Sequence, residues 1–153
     1  MIEMEKTEIS SLCCRDLIQV AKVARGIARE IPHPQQLMNR WKGLDCFLFR
    51  DEGRIIGMVL VNTGIRYFPN SIAVQSLHYR WEYNREDIIW RMIYLAAVSY
   101  SGAGPQYICM DLDKRHDINY DLYLHHGFRE SIVRSPYGSG HEILLIDINA
   151  LKE

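Results

Sequence analysis

The chain has 153 residues, 48% of them apolar and 24% charged, with a net charge of −1. These values describe one ordinary soluble domain, 1–153, long enough to bury a core without staples. They argue against a nucleic-acid binder that works by neutralising phosphates. No apolar run reaches the roughly 18 residues of a membrane helix. The mixed-charge start, "MIEMEKTEIS", lacks the apolar centre of a signal peptide. Cys13 and Cys14 are adjacent, while Cys46 and Cys109 lie in apolar runs. This is neither a disulfide framework nor a C-x-x-C zinc pattern, so buried, reduced thiols in a cytoplasmic protein are expected.

"TEIS" reads as a first strand. In "CCRDLIQVAKVARGIAREI", Leu17, Val20, Ala21, Ala24, Ile27 and Ala28 recur at helical spacing. "PHP" at Pro32–Pro34 ends that helix, and "QQLMNRW" forms a short second one. "CFLFRDEGRIIGMVLVN" is a β-hairpin turned at its glycine, "TGIRYFPNS" a connection, and "SIAVQSLHYRW" a strand.

"NREDIIWRMIYLAAVSYSG" carries two helical rows, Ile88/Met92/Ala96 and Ile89/Ile93/Ala97, with Asn84 as the expected N-cap and Asp87 three residues on. "GAGP" ends it. "QYICMDLD" is a strand, "INYDLYLHH" a helix, "RESIVRS" a strand, "PYGSG" a turn and "HEILLIDI" a last strand. The order β-α-α-β-β-β-α-β-α-β-β mixes hairpins with helical crossovers. It predicts an α/β domain (α+β) with a mixed, mostly antiparallel sheet flanked by helices.

That order, with "LYLHHGFRESIVRSPYGSGHEILLIDI" at its end and "FRDEGRIIGMVLV" as its early hairpin, resembles the GNAT superfamily of acyl-CoA N-acyltransferases. The resemblance covers nearly the whole chain and implies a splayed sheet, acetyl-CoA or another acyl-CoA as co-substrate, and an amine acceptor. The Y-x-x-x-G-F pattern formed by Tyr123, Gly127 and Phe128 implies that Tyr123 protonates the departing thiolate. Pantetheine would pair with the strand backbone over Leu77–Trp81, including Tyr79 and Arg80. The pyrophosphate would face the helix start at Arg85–Trp90, including Ile88 and Ile89, and Asn119 would join this cofactor-binding set.

The sequence departs from the family's R/Q-x-x-G-x-G/A loop. With Arg85 in the first position, Ile88 and Trp90 stand in the glycine positions, and Glu86 and Asp87 bring carboxylates into the first turn. Those carboxylates suit the helix dipole but oppose a phosphate. The family's strand glutamate is also missing. His78 is the base candidate on that strand, beside a water-mediated route.

Other groupings have plainer explanations. Asp111, Asp113, His116 and Asp117 read as a polar strand end rather than a metal site. His125 and His126 point about 100° apart on a helix and cannot chelate one ion together. Tyr67, Phe68, Trp81 and Tyr83 are candidates for a homodimer face. The acceptor would be a small molecule or a peptide amine. The lost glycines also suit a second expectation: a domain of this fold that binds without catalysing.

Overall fold

A computed structural model describes residues 1–24, 33–64 and 67–153. One seven-stranded sheet runs in the order β1-β2-β3-β4-β5-β7-β6. The strands are β1 Ile2–Thr7, β2 Asp45–Asp51, β3 Arg54–Asn62, β4 Ser71–Tyr79, β5 Tyr107–Asp113, β6 Arg129–Arg134 and β7 His141–Asp147. All neighbours are antiparallel except β4 and β5, which are parallel. The α-helices among the described residues are α1 Cys14–Ala24, α2 Pro34–Arg40, α3 Glu86–Val98 and α4 Tyr120–His125.

The expected order holds, with shifts at the ends. The first strand lies earlier than "TEIS": Ile2 and Met4 turn toward the core while Glu3 and Glu5 face out. Ile9–Ser11 is only a 3₁₀ turn. Ile27, Ala28 and Pro32 fall outside the described residues. Pro34 opens α2, a position where its missing N–H costs nothing, and the preceding His33 accepts from the Gln35 N–H at 3.1 Å. Cys46 and Cys109 are buried as expected, but Cys13 and Cys14 are exposed free thiols at the start of α1. No helix among the described residues is long and apolar enough to cross a membrane.

Strand alternation sends side chains to two faces. Phe47, Phe49, Val59, Val61, Ile72 and Val74 pack beneath α3 and α4, with Met92, Ile93 and Tyr123. Cys46, Leu48, Met58 and Leu60 pack beneath α1 and α2, with Val20, Leu37 and Trp41. The register shifts between Leu60 and Val61, which pair with Ser76 and Val74, so Gln75 is an extra residue in β4. This bulge moves Ser76 to the α1/α2 side, although Val74 two residues earlier packs on the α3/α4 side.

The four aromatic residues expected as a homodimer face do not form one exposed patch. Tyr67 and Phe68 pack against Cys109, Ile143 and Leu145, and the Tyr83 hydroxyl donates to Asp51 at 2.9 Å. Trp81 alone of the four is largely exposed, at 64%. Short irregular segments bury such rings wherever a neighbouring sheet face offers apolar surface.

Candidate active site

Parallel β4 and β5 pair only through Ser71–Ala73 and Tyr107–Cys109. Beyond that point the strands separate. The gap is a cleft of about 300 Å³ lined by Val74–Leu77, Met110–Asp113, Asp117, Asn119 and Tyr123. On the cleft side, β4 leaves backbone groups with no β5 partner, and such an edge can pair with an extended ligand. Of the residues expected from the sequence, the cleft brings together Leu77, Asn119 and Tyr123.

Tyr123 sits on α4 and is 3% exposed. Its ring packs edge-on against Phe128, the residue that follows the left-handed Gly127. Among the described residues its hydroxyl has no hydrogen-bond partner. Burial pushes its pKa well up, helped by the charge of Asp117. The phenol therefore stays neutral and offers its proton to whatever enters the cleft.

A hydrogen-bonded bracket holds the neighbouring elements. The Tyr79 hydroxyl donates to Asn84 Oδ1 at 3.1 Å and accepts from Asn119 Nδ2 at 3.3 Å. It ties the end of β4 to the approach of α3 and the start of α4. Asp117 caps this corner by accepting the Asn119 N–H at 2.9 Å, and burial raises its carboxyl pKa.

The start of α3 differs from expectation. Its N-cap is Arg85, whose guanidinium has no acceptor to offer the helix, and Asn84, one residue earlier, is bonded to Tyr79 instead. The Ile89 N–H is already bonded to the Arg85 carbonyl, so the donors left at the tip are those of Glu86, Asp87 and Ile88. Trp90 is buried, stacked on His126 at 4.3 Å and donating to the Lys152 carbonyl. Ile89 is buried as well, and Ile88 packs against the core. Ile89 and Trp90 therefore turn inward, away from the tip, because the helix has to cover the sheet.

Both acids of the first turn have partners. Asp87 pairs with Arg85 at 2.9 Å, while Glu86 lies 3.1 Å from His125 and 3.3 Å from His126. Arg80 faces elsewhere: its Nε donates to the Ile55 carbonyl at 2.8 Å, and burial lowers its pKa.

His78 is not among the residues lining the cleft. It lies on the α1/α2 side, tilted against Trp41 at 5.5 Å, and its Nε2 is buried with no hydrogen bond to another described residue. Burial, with a smaller contribution from Arg40, lowers its pKa from 6.5 to about 4. Between those values the unfolded chain binds a proton that the folded one refuses. Stability is thus lost as pH falls from about 6.5 toward about 4, by up to roughly 3 kcal/mol. His78→Gln is expected to show a smaller drop in urea midpoint across that window. An equal drop would mean that His78 does not govern it.

One carboxylate reads in the sequence as part of a polar strand end and gains its partners only in the fold. Asp111 lines the cleft, yet its side chain is only 6% exposed. It accepts from Ser135 Oγ at 2.7 Å and Tyr67 OH at 3.4 Å, and His141 Nδ1 lies 3.4 Å away. Burial and then the Asp111 charge push the Tyr67 pKa up to about 12. The Asp111/Asp113 spacing was the available signal; its partners lie 24 to 44 residues away in sequence. Among the described residues no group of three or more His, Cys, Asp or Glu is arranged to hold a metal ion.

No protein-family model matches the sequence, and no curated protein matches it. Solved structures do. PaiA N-acetyltransferase from Thermoplasma acidophilum, in complex with coenzyme A, is 15% identical with a TM-score of 0.72, covering 96% of this chain and 99% of its own. The ribosomal-protein-S18-alanine N-acetyltransferase from Escherichia coli is 13% identical with a TM-score of 0.70, covering 97% and 94%. A GNAT-family acetyltransferase from Bacillus cereus is 12% identical with a TM-score of 0.69, covering 96% and 97%. Identities this low speak for architecture alone. On the sheet order, the splayed strands and these likenesses, the chain has the GNAT fold.

Proposed function

We propose that the chain is a cytoplasmic N-acyltransferase, in the first instance an N-acetyltransferase, that uses an acyl-CoA and an amine acceptor. The observation that carries this reading is the cleft between β4 and β5, with a neutral phenol, unpartnered among the described residues, on one side and a buried carboxylate on the other. The free edge of β4 around Leu77 would receive the pantetheine arm, and the bracket of Tyr79, Asn84 and Asn119 would shape its path. The α3 tip, with Arg85 beside it, would face the diphosphate. The Arg85–Asp87 ion pair reduces the repulsion that the bare sequence implies.

The chemistry divides between the faces of the sheet. Asp111 points to the face of Cys109, Ile143 and Leu145, whereas Tyr123 belongs to the α3/α4 side. The acceptor nitrogen attacks the thioester carbon, a C–N bond forms and the C–S bond breaks. Asp111, better placed than His78, takes the nitrogen's proton, and His141 offers the way out to solvent. Tyr123 donates a hydrogen bond to the departing sulfur. Full transfer from so weak an acid to a thiolate is uphill, so the sulfur gains its proton from water on release.

Acetyl-CoA at about 100 times its Kd is expected to stabilise the protein by about 2.7 kcal/mol, a rise in Tm of roughly 5–10 °C. Acetyl-CoA consumption with an amine present should accompany it. The acidic, glycine-free first turn of α3 favours a second reading, a domain that binds without catalysing. A thermal shift with no turnover on any amine would select that reading, and no shift would reject both as coenzyme-dependent functions.

A further inference from the structure

A second cavity adjoins the cleft. It is narrow, about 190 Å³, and is lined by Tyr67, Ala73, Val74, Gln75, Asp111 and Tyr137. Val74, Gln75 and Asp111 belong to both cavities, so the two meet at the Asp111 carboxylate. Among the described residues no lysine or arginine lines either space. Tyr67 and Tyr137 come from separate loops, one before β4 and one in the β6–β7 turn. The Tyr137 ring leans on His141 at 5.5 Å.

This combination is selective. A buried carboxylate held by two hydroxyls and one imidazole, with no lysine or arginine among the described residues lining the cavity, is an attractive counter-ion for an ammonium. Aromatic faces attract the same charge and pack well on methylene groups. A carboxylate on the ligand would meet Asp111 with no cation lining the cavity, and like charges in a desolvated space repel strongly. The Asp111 oxygens also border the cleft, where a nitrogen held by them faces the acyl group.

We propose that this cavity is the acceptor site and that its substrate is an unbranched primary alkylamine, free or at the end of a side chain, without a carboxylate near the nitrogen. The inference rests on the acyltransfer reading and names its acceptor class. Tyr67 and Tyr137 flank the alkyl stem and Asp111 fixes the nitrogen. Tyr137, 68% exposed, forms the open wall through which the amine enters.

The test uses the whole chain with n-butylamine, 1,4-diaminobutane, glycine and aniline as acceptors, with acetyl-CoA stabilisation measured in parallel. The two alkylamines should be acetylated with kcat/KM at least about tenfold above glycine and aniline. Tyr137→Ala should raise KM for n-butylamine roughly tenfold with kcat little changed, Tyr137→Phe should restore it, and neither should alter the acetyl-CoA shift. Preferred turnover of glycine or aniline, or a Tyr137→Ala enzyme with unchanged KM, would overturn the proposal and leave acyltransfer standing. Loss of the acetyl-CoA shift in the wild-type protein would strike the acyltransfer reading instead. In that case n-butylammonium binding, read from tyrosine NMR signals, decides the acceptor site: perturbed Tyr137 resonances support it and unperturbed ones reject it.

Discussion

Tyr123→Phe is expected to lower kcat by about 10²–10³-fold, the usual loss when one donor to developing charge is removed from a desolvated site. The ring stays, so the edge-on contact with Phe128 and the buried surface of α4 are kept. No hydrogen bond to another described residue is lost, since the hydroxyl has none. Stability should therefore be unchanged or slightly improved, and the acetyl-CoA thermal shift should persist. Steady-state kinetics with a calorimetric scan checks all three. A variant that is equally active would remove Tyr123 from the chemistry. A variant that is inactive and has also lost the shift would assign the hydroxyl to coenzyme binding instead.

The second large effect concerns Asp111. Asp111→Asn is expected to lower kcat/KM by about 10²–10⁴-fold near neutral pH. The sign of its pH dependence follows from the acceptor. An alkylamine is protonated below about 10.4, and only its neutral form attacks a thioester. In the wild-type protein Asp111 takes the proton left on the nitrogen once it has bonded to the thioester carbon, a step for which the variant must use solvent, so the ratio of the two rates is largest at neutral pH. It shrinks as pH approaches 10, where hydroxide is abundant enough to take that proton in either protein. A pH profile of kcat/KM for both proteins measures this. A ratio constant with pH would mean that Asp111 holds the amine but takes no proton. Asparagine keeps one acceptor oxygen but turns an amide toward Ser135, Tyr67 or His141, so far-UV circular dichroism and the acetyl-CoA shift serve as controls for folding.

The order of elements was legible because each carries its own periodicity. The rows Ile88/Met92/Ala96 and Ile89/Ile93/Ala97 announce α3, and Ile89, Met92, Ile93, Ala96 and Ala97 are all buried on it. Tyr123, Leu77 and Asn119 were found through the family pattern and converge on one cleft. The helix start lies one residue past Asn84, because that capping residue accepts from Tyr79 instead. Trp90 looked like an obstruction to a phosphate, yet it turns under His126, where burying an indole outweighs exposing it.

Local sequence by itself determined which segments become strands and helices, since alternation and helical spacing record the burial of a single element. Only the tertiary structure decided where β4 and β5 part, that Asp111 is desolvated, and that Tyr67, Ser135, Tyr137 and His141 gather around it. Removing a charge from water and surrounding it with donors from distant segments is a property of how the sheet closes. No window along the chain contains that information.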